Sequence, residues 1–242
     1  LELLPPQTVL VPAAASLIDL DGKVVVANGE SFPYQHLLIA AGATTNFHGM
    51  TFPDRVMHPL STLADALRIR DEFTTYLRET PHPHVLVAGT GYTGLELAMS
   101  LLHRARAAGR TCAVTIVDPA PELLPSLPDR QRQYVLDFLT SQGADVRLGV
   151  AIDSFDGQRA LVGGQTIEAP FACWAAGPKF AVPEIKGHVE RLSDGRLHVA
   201  PDLSLANYPE VFAAGDSAAF TQRGIVLRKA VNFAYYGGKH AA

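Results

Sequence analysis

Residues 85–101 read VLVAGTGYTGLELAMSL, and this stretch decides the fold. Val85–Ala88 is a short, continuously apolar run, the pattern of a parallel strand buried on both faces. Gly89, Gly91 and Gly94 follow in the spacing G-x-G-x-x-G, with Thr90, Tyr92 and Thr93 between them. Alone, that spacing is a weak signal. Here a strand precedes it and an amphipathic helix begins inside it, with Leu95, Ala98, Met99 and Leu102 on one face and Gly109 as the stop. In that context the glycines have separate tasks. Gly89 permits the tight turn out of the strand, Gly91 lets backbone approach a pyrophosphate, and Gly94 lets the helix pack close to the strand. The free N–H groups and the dipole of the helix start favour phosphate at the same place.

The next apolar strand is Val114–Val117, in the stretch VTIVDPAPELLP. Asp118 stands at its C-terminal end, where an acid can accept hydrogen bonds from the adenosine ribose hydroxyls. A carboxylate there repels a 2′-phosphate, and Pro119-Ala120 supplies no arginine to offset it. The pattern therefore favours NADH over NADPH. The alternative, that Asp118 merely caps a loop, is the weaker reading given the whole β-α-β unit.

Around this β-α-β unit the chain reads as alternating short strands and helices. Strand-like runs occur at Thr8–Val11, Ser16–Asp19 and Lys23–Ala27, with an Asn28-Gly29 turn after the last. A buried strand is predicted from Tyr34 to Ala41, ended by Gly42. Thr62 and Asp65 have capping-box spacing and predict a helix start, with Leu63, Leu67, Phe73 and Leu77 as its apolar stripe. Pro81 and Pro83 end that helix and mark a boundary. A second helix is predicted from Asp129 to Gln142, closed by Gly143. Short strands are expected around Val146, Ile152, Leu161 and Phe171–Trp174. A strand at Val211–Ala213, a Gly-Asp turn and a helix from Val231 to Ala242 complete the chain.

Composition narrows the classes of function. Hydrophobic residues are 48% of the chain and charged residues 18%, enough to build a core and too apolar for a disordered segment. The net charge of -4 gives no basic face for nucleic acid. No apolar run reaches the roughly 20 residues of a membrane span. Cys112 and Cys173 lie far apart in apolar runs and read as buried free thiols of a reducing, cytoplasmic compartment. The nine histidines show no metal-ligand spacing, and no metal is expected.

Five blocks now resemble, in order, the pyridine nucleotide-disulfide oxidoreductase superfamily of flavoproteins. They are YQHLLIAAGATTNF (Tyr34–Phe47), PLSTLADALRIRDEF (Pro59–Phe73), GTGYTGLELA (Gly89–Ala98), ACWAAG (Ala172–Gly177) and VFAAGDSAA (Val211–Ala219). The resemblance implies an α/β fold of the glutathione-reductase type, with a Rossmann-like NAD-binding domain inserted into an FAD-binding domain. The boundaries expected are 1–80 and 179–242 for the FAD-type parts and 81–178 for the NAD-binding domain. The family also carries an FAD fingerprint on a first strand. No second fingerprint occurs here, so the chain is expected to be a piece whose FAD-binding domain is partial, cut at both ends.

TTNFHG and CWAAG are most similar to type II NADH dehydrogenases, which pass electrons to quinone. Where that branch carries a glutamine-rich helix, this chain has Asn232 and Tyr236 in VNFAYYGGKHAA. A soluble NADH oxidase or a ferredoxin-reductase-like enzyme is thus an alternative, as is a nucleotide-binding module without turnover. The resemblance implies FAD and NADH as cofactors and a quinone or small redox partner as acceptor. It leaves open a homodimer and peripheral membrane contact through a further C-terminal segment.

What the resemblance implies residue by residue is as follows. Asp216, after Gly215, holds the flavin ribityl or pyrophosphate region, although an Asp after Gly is also a common turn. Ala41, Gly42 and Thr44 lie near the flavin and the domain crossing. Glu96 reaches the nicotinamide end, Tyr92 covers the flavin face and swings away for nicotinamide, and Ala176-Gly177 lets the ring close to backbone. Glu96 and Tyr92 are the candidate catalytic residues. Trp174 reads as core packing and His48 as a loop residue.

Overall fold

The computed structural model describes residues 5–53, 55–181 and 183–241. Two compact units divide the chain, one formed by 45–178 and the other by 1–44 with 179–242. The first unit begins well before the boundary expected at residue 80. The reason is a short strand, Met57–Pro59, that pairs in parallel with Phe171–Trp174 and so brings the following helix, Leu63–Glu79, into the same unit. Three residues containing His and Pro carry no strand signal of their own. Pro59 is tolerated because the strand lies at the sheet edge.

The core of unit 45–178 is a five-stranded parallel sheet in the order Met57–Pro59, Phe171–Trp174, His84–Ala88, Ala113–Asp118, Ala144–Leu148. Its central strands are buried on both faces, which is why they read as unbroken apolar runs. Val85 and Val87 face one way, against the helices Leu63–Glu79 and Tyr92–Ala107, through Phe73, Leu77, Leu95, Ala98 and Leu101. Leu86 and Ala88 face the other way, against an antiparallel sheet of Ile152–Phe155, Arg159–Val162 and Gln165–Glu168. This is a three-layer α/β unit of the Rossmann-like class.

Leu63–Glu79 starts at Thr62, where both halves of a capping box form. The Asp65 N–H donates to Thr62 Oγ1 at 3.1 Å and the Thr62 N–H to Asp65 Oδ2 at 2.9 Å. Its buried face differs from the predicted stripe. Leu63 and Leu67 are 75% and 41% exposed, and the core side is Ile69, Phe73 and Leu77, at strict i, i+4, i+8 spacing. The helix Asp129–Ser141 ends at Gln142, followed by Gly143 at φ +84°.

In the other unit, Glu184–Lys186, Ala15–Asp19, Val24–Ala27 and Glu30–Pro33 form one sheet, and Asn28-Gly29 turns the chain with both residues at positive φ. Tyr208–Ala213 pairs in parallel with Leu37–Ile39, which is all that forms of the strand expected over Tyr34–Ala41. Thr8–Val11, also expected as a strand, is irregular, with Val9 83% and Leu10 63% exposed. Its β-branched residues sit between Pro5-Pro6 and Pro12 and pair with no neighbouring strand. Val231–Ala241 is the last helix, and Ala242, expected as its final residue, lies outside the described residues. Among the described residues, no helix is long and apolar enough to cross a membrane.

Candidate functional site

The sequence-predicted residues fall into two groups, one in each unit. In unit 45–178, Gly89–Glu96, Asp118 and Ala176-Gly177 follow the C-terminal ends of three neighbouring parallel strands. Ligands of open α/β sheets bind at this end. Backbone bonds hold the ends together: the Gly89 N–H donates to the Val117 carbonyl at 2.8 Å and the Ala175 N–H to the Ala88 carbonyl at 2.7 Å.

Each glycine is required for a different physical reason. Gly89 sits at φ +109°, and a Cβ there would strike the Ala175 carbonyl oxygen. A Cβ on Gly94 would strike the Gly89 carbonyl oxygen, so helix and turn pack closer than any side chain allows. Gly91 has an ordinary φ of -69° and nothing within 4 Å of where its Cβ would be. Open space is what a backbone needs if a phosphate is to approach it. Gly91 is also the N-cap of Tyr92–Ala107, and no side chain caps this helix start, so its first N–H groups are offered to whatever fills that space.

Asp118 ends its strand with its carboxylate fixed from two sides. Oδ2 accepts from the Thr90 N–H at 2.7 Å and from the Thr90 hydroxyl at 2.9 Å. Oδ1 accepts from the Ala120 N–H at 2.8 Å. A carboxylate has about four acceptor positions, so capacity is left at Oδ1 for a hydroxyl. Sequence reading counted Thr90 only as a fingerprint position. The signal for its side chain was a threonine between glycines with an acid at the end of the next strand.

Tyr92 is the first helical residue and 43% exposed. Glu96 is exposed and is the fifth residue of the helix, just past its first turn. Gly177 is exposed at φ +99°, with nothing within 4 Å of its Cβ position. The loop before the Met57–Pro59 strand grips this block. The Asn46 N–H donates to the Gly177 carbonyl at 3.1 Å, and His48 Nε2 lies 2.9 Å from the Ala176 carbonyl, which makes that nitrogen the protonated one. Trp174 is buried against Phe47 and Phe52 and donates Nε1–H to the Asn46 carbonyl at 2.7 Å. Sequence analysis did not find the roles of Asn46 and His48.

In the other unit, Ala41-Gly42 and Gly215-Asp216 follow the ends of the parallel pair Leu37–Ile39 and Tyr208–Ala213. The Gly42 N–H donates to the hydroxyl of Ser217, which is fully buried, and the Ala214 N–H to the Ile39 carbonyl. Gly215–Ser217 forms a single 3-10 turn with Gly215 at φ +64°. Beside it opens a cleft of about 700 Å³, walled by Asp216, Leu203, Phe220, Leu227, Phe233 and Tyr236. Cys112 and Cys173 are buried and unbridged. Among the described residues, no group of three His, Cys, Asp or Glu stands together to hold a metal.

Known proteins match this arrangement along almost its whole length. The family model of the pyridine nucleotide-disulphide oxidoreductases matches residues 8–237. A type II NADH:quinone oxidoreductase of Mycobacterium tuberculosis is 27% identical, over 90% of this chain and 54% of its own length. One from Staphylococcus haemolyticus is 24% identical, over 96% of this chain and 63% of its own. The chain therefore spans little more than half the length of these curated relatives. Among solved structures, the water-forming NADH oxidase of Lactobacillus brevis bound to NADH superposes with a TM-score of 0.77 at 20% identity, covering 94% of this chain and 51% of that one. Reduced Bacillus anthracis CoADR-RHD superposes at 0.74 and 17% identity, covering 95% and 42%. Strand order, fingerprint turn and family model agree, and the chain belongs to the pyridine nucleotide-disulphide oxidoreductase family.

Proposed function

We propose that the protein is an FAD-dependent oxidoreductase that takes hydride from NADH and passes electrons to a second acceptor, with a quinone as the first acceptor to test. The observation that carries this reading is the fingerprint turn: an open space over Gly91, uncapped helix N–H groups, and Asp118 fixed one strand away. These fit a dinucleotide with its pyrophosphate on the 89–94 turn and its adenosine ribose on Asp118. Thr93 and the backbone around Ala176-Gly177 complete the contact surface, and Thr90, buried beneath it, holds Asp118.

The residues of the other unit fit part of a flavin. Ala41, Gly42, Gly215 and Asp216 would hold it, with the Asp216 carboxylate accepting from flavin ribityl or pyrophosphate-side groups and the apolar cleft beside it excluding water. When bound, FAD supplies the two-electron acceptor that NADH can reduce. The protein's task is orientation. In this reading Tyr92 screens the reacting face, Glu96 steers the nicotinamide end, and Gly177 lets the ring lie against backbone. No side chain acts as a covalent nucleophile.

Anaerobic addition of NADH to the FAD-loaded protein tests this. The flavin band near ~450 nm should bleach and then recover on addition of a soluble quinone. Bound flavin that NADH leaves oxidised would refute the proposal. NADH binding with no flavin uptake would make the chain a nucleotide-binding module without turnover.

A further inference from the structure

Asp118 does not set its own orientation. Its Oδ2 accepts two hydrogen bonds from a single residue, the backbone N–H and the side-chain hydroxyl of Thr90. Thr90 is only 2% exposed, so its hydroxyl is screened from water as an alternative partner. A buried hydroxyl donating to a carboxylate is a strong, directional bond. With the Ala120 N–H on Oδ1, three of the carboxylate's roughly four acceptor positions are filled by the protein, which holds it against rotation and leaves one position at Oδ1.

From this geometry we infer that Thr90 is a positioning residue for dinucleotide selection, acting through Asp118. The inference rests on the reading of Asp118 as the ribose acceptor. The fingerprint pattern leaves this position free to be any residue, so the pattern itself assigns the threonine side chain no task. Its hydroxyl keeps the carboxylate where a ribose 2′-hydroxyl can donate to it and where a 2′-phosphate meets its charge. Loosening it should cost NADH affinity selectively.

The test uses the full chain and direct titration with NADH and with NADPH, so it does not depend on turnover. Thr90→Val keeps the volume and removes the hydroxyl, whereas Thr90→Ser keeps the hydroxyl. The valine variant should bind NADH about fivefold more weakly, the scale of one ordinary hydrogen bond, because the bond removed lies within the protein and acts on the nucleotide only through Asp118. Its NADPH affinity should be unchanged or tighter. The serine variant should bind NADH within about twofold of the parent. In an Asp118→Ala background, Thr90→Val should have no further effect, the signature of two residues acting as one.

Equal weakening of both nucleotides by Thr90→Val would mean a merely structural role and overturn the inference. So would full additivity with Asp118→Ala, or no effect of the valine at all. If Asp118→Ala alone leaves NADH affinity unchanged, the ribose reading of Asp118 fails before Thr90 is considered, and the two failures are distinguishable.

Discussion

At the scale of single residues, charge and burial give separate predictions. In the proposed site Asp118 would meet a 2′-phosphate, and Pro119 follows it in the chain. Replacing the pair by Asp118→Ser with Pro119→Arg should invert the preference, lowering NADH affinity about tenfold while strengthening NADPH. Titration of both nucleotides checks it, and unchanged affinities would remove Asp118 from the account. His84 opens the central strand with Nε2 at 2.9 Å from Thr115 Oγ1. Burial holds its imidazole below the usual value, against the opposing pull of the Glu168 backbone contact. The unfolded chain therefore takes up this proton first as pH falls below about 6.5, and stability drops with falling pH in that window. Melting curves at pH values on either side of about 6.5 should show the drop, and His84→Gln should reduce it. Burial also pushes the Cys112 thiol up to about 11 and raises that of Cys173. A thiol reagent near neutral pH should leave both unmodified in the native protein and modify both after denaturation.

At the scale of elements, the fingerprint glycines Gly91 and Gly94 separate cleanly, as their different positions in the fingerprint imply. Gly94→Ala places a methyl group against the Gly89 carbonyl, and should cost about 1–3 kcal/mol of stability as well as NADH affinity. Gly91→Ala meets open space at an ordinary φ, so thermal stability should hold while NADH binding falls. A variant at Gly91 that lost stability instead would contradict the phosphate reading of that space. The β-α-β unit was legible because its signals are local: a strand buried on both faces, three glycines, a capped or stopped helix. The capping box at Thr62 was legible for the same reason. Elements that depend on a distant partner were not. Thr8–Val11 has strand-like residues and no neighbouring strand, so it stays irregular and exposed. Met57–Pro59 lacks strand-like residues and becomes a strand because Phe171–Trp174 offers it an edge. Leu63 and Leu67 read as core, and only the helix's packing surface shows that Ile69 takes that place. The Thr90 hydroxyl on Asp118 was hidden in the same way, since 28 residues separate the two.

At the scale of the whole molecule, the chain leaves one unit after residue 44 and returns to it at residue 179. Entry and exit of the inserted unit meet at the Asn46–Gly177 hydrogen bond, so it begins and ends at one place. Its sheet, both covering layers and the fingerprint turn lie within 45–178. That segment expressed alone should fold cooperatively and keep the NADH affinity of the full chain, as a melting curve and a titration would show. The blocks proposed to hold the flavin, Ala41-Gly42 and Gly215-Asp216, come together through the parallel pairing of strands about 170 residues apart, which sequence order alone does not reveal. The claim on which everything else rests is that the 89–94 turn and Asp118 form an NADH site. Calorimetric titration of the 242-residue chain with NADH and then with NADPH tests it most directly. Saturable binding of NADH, about tenfold or more tighter than NADPH, is the predicted result; binding of neither nucleotide, or tighter binding of NADPH, would contradict it.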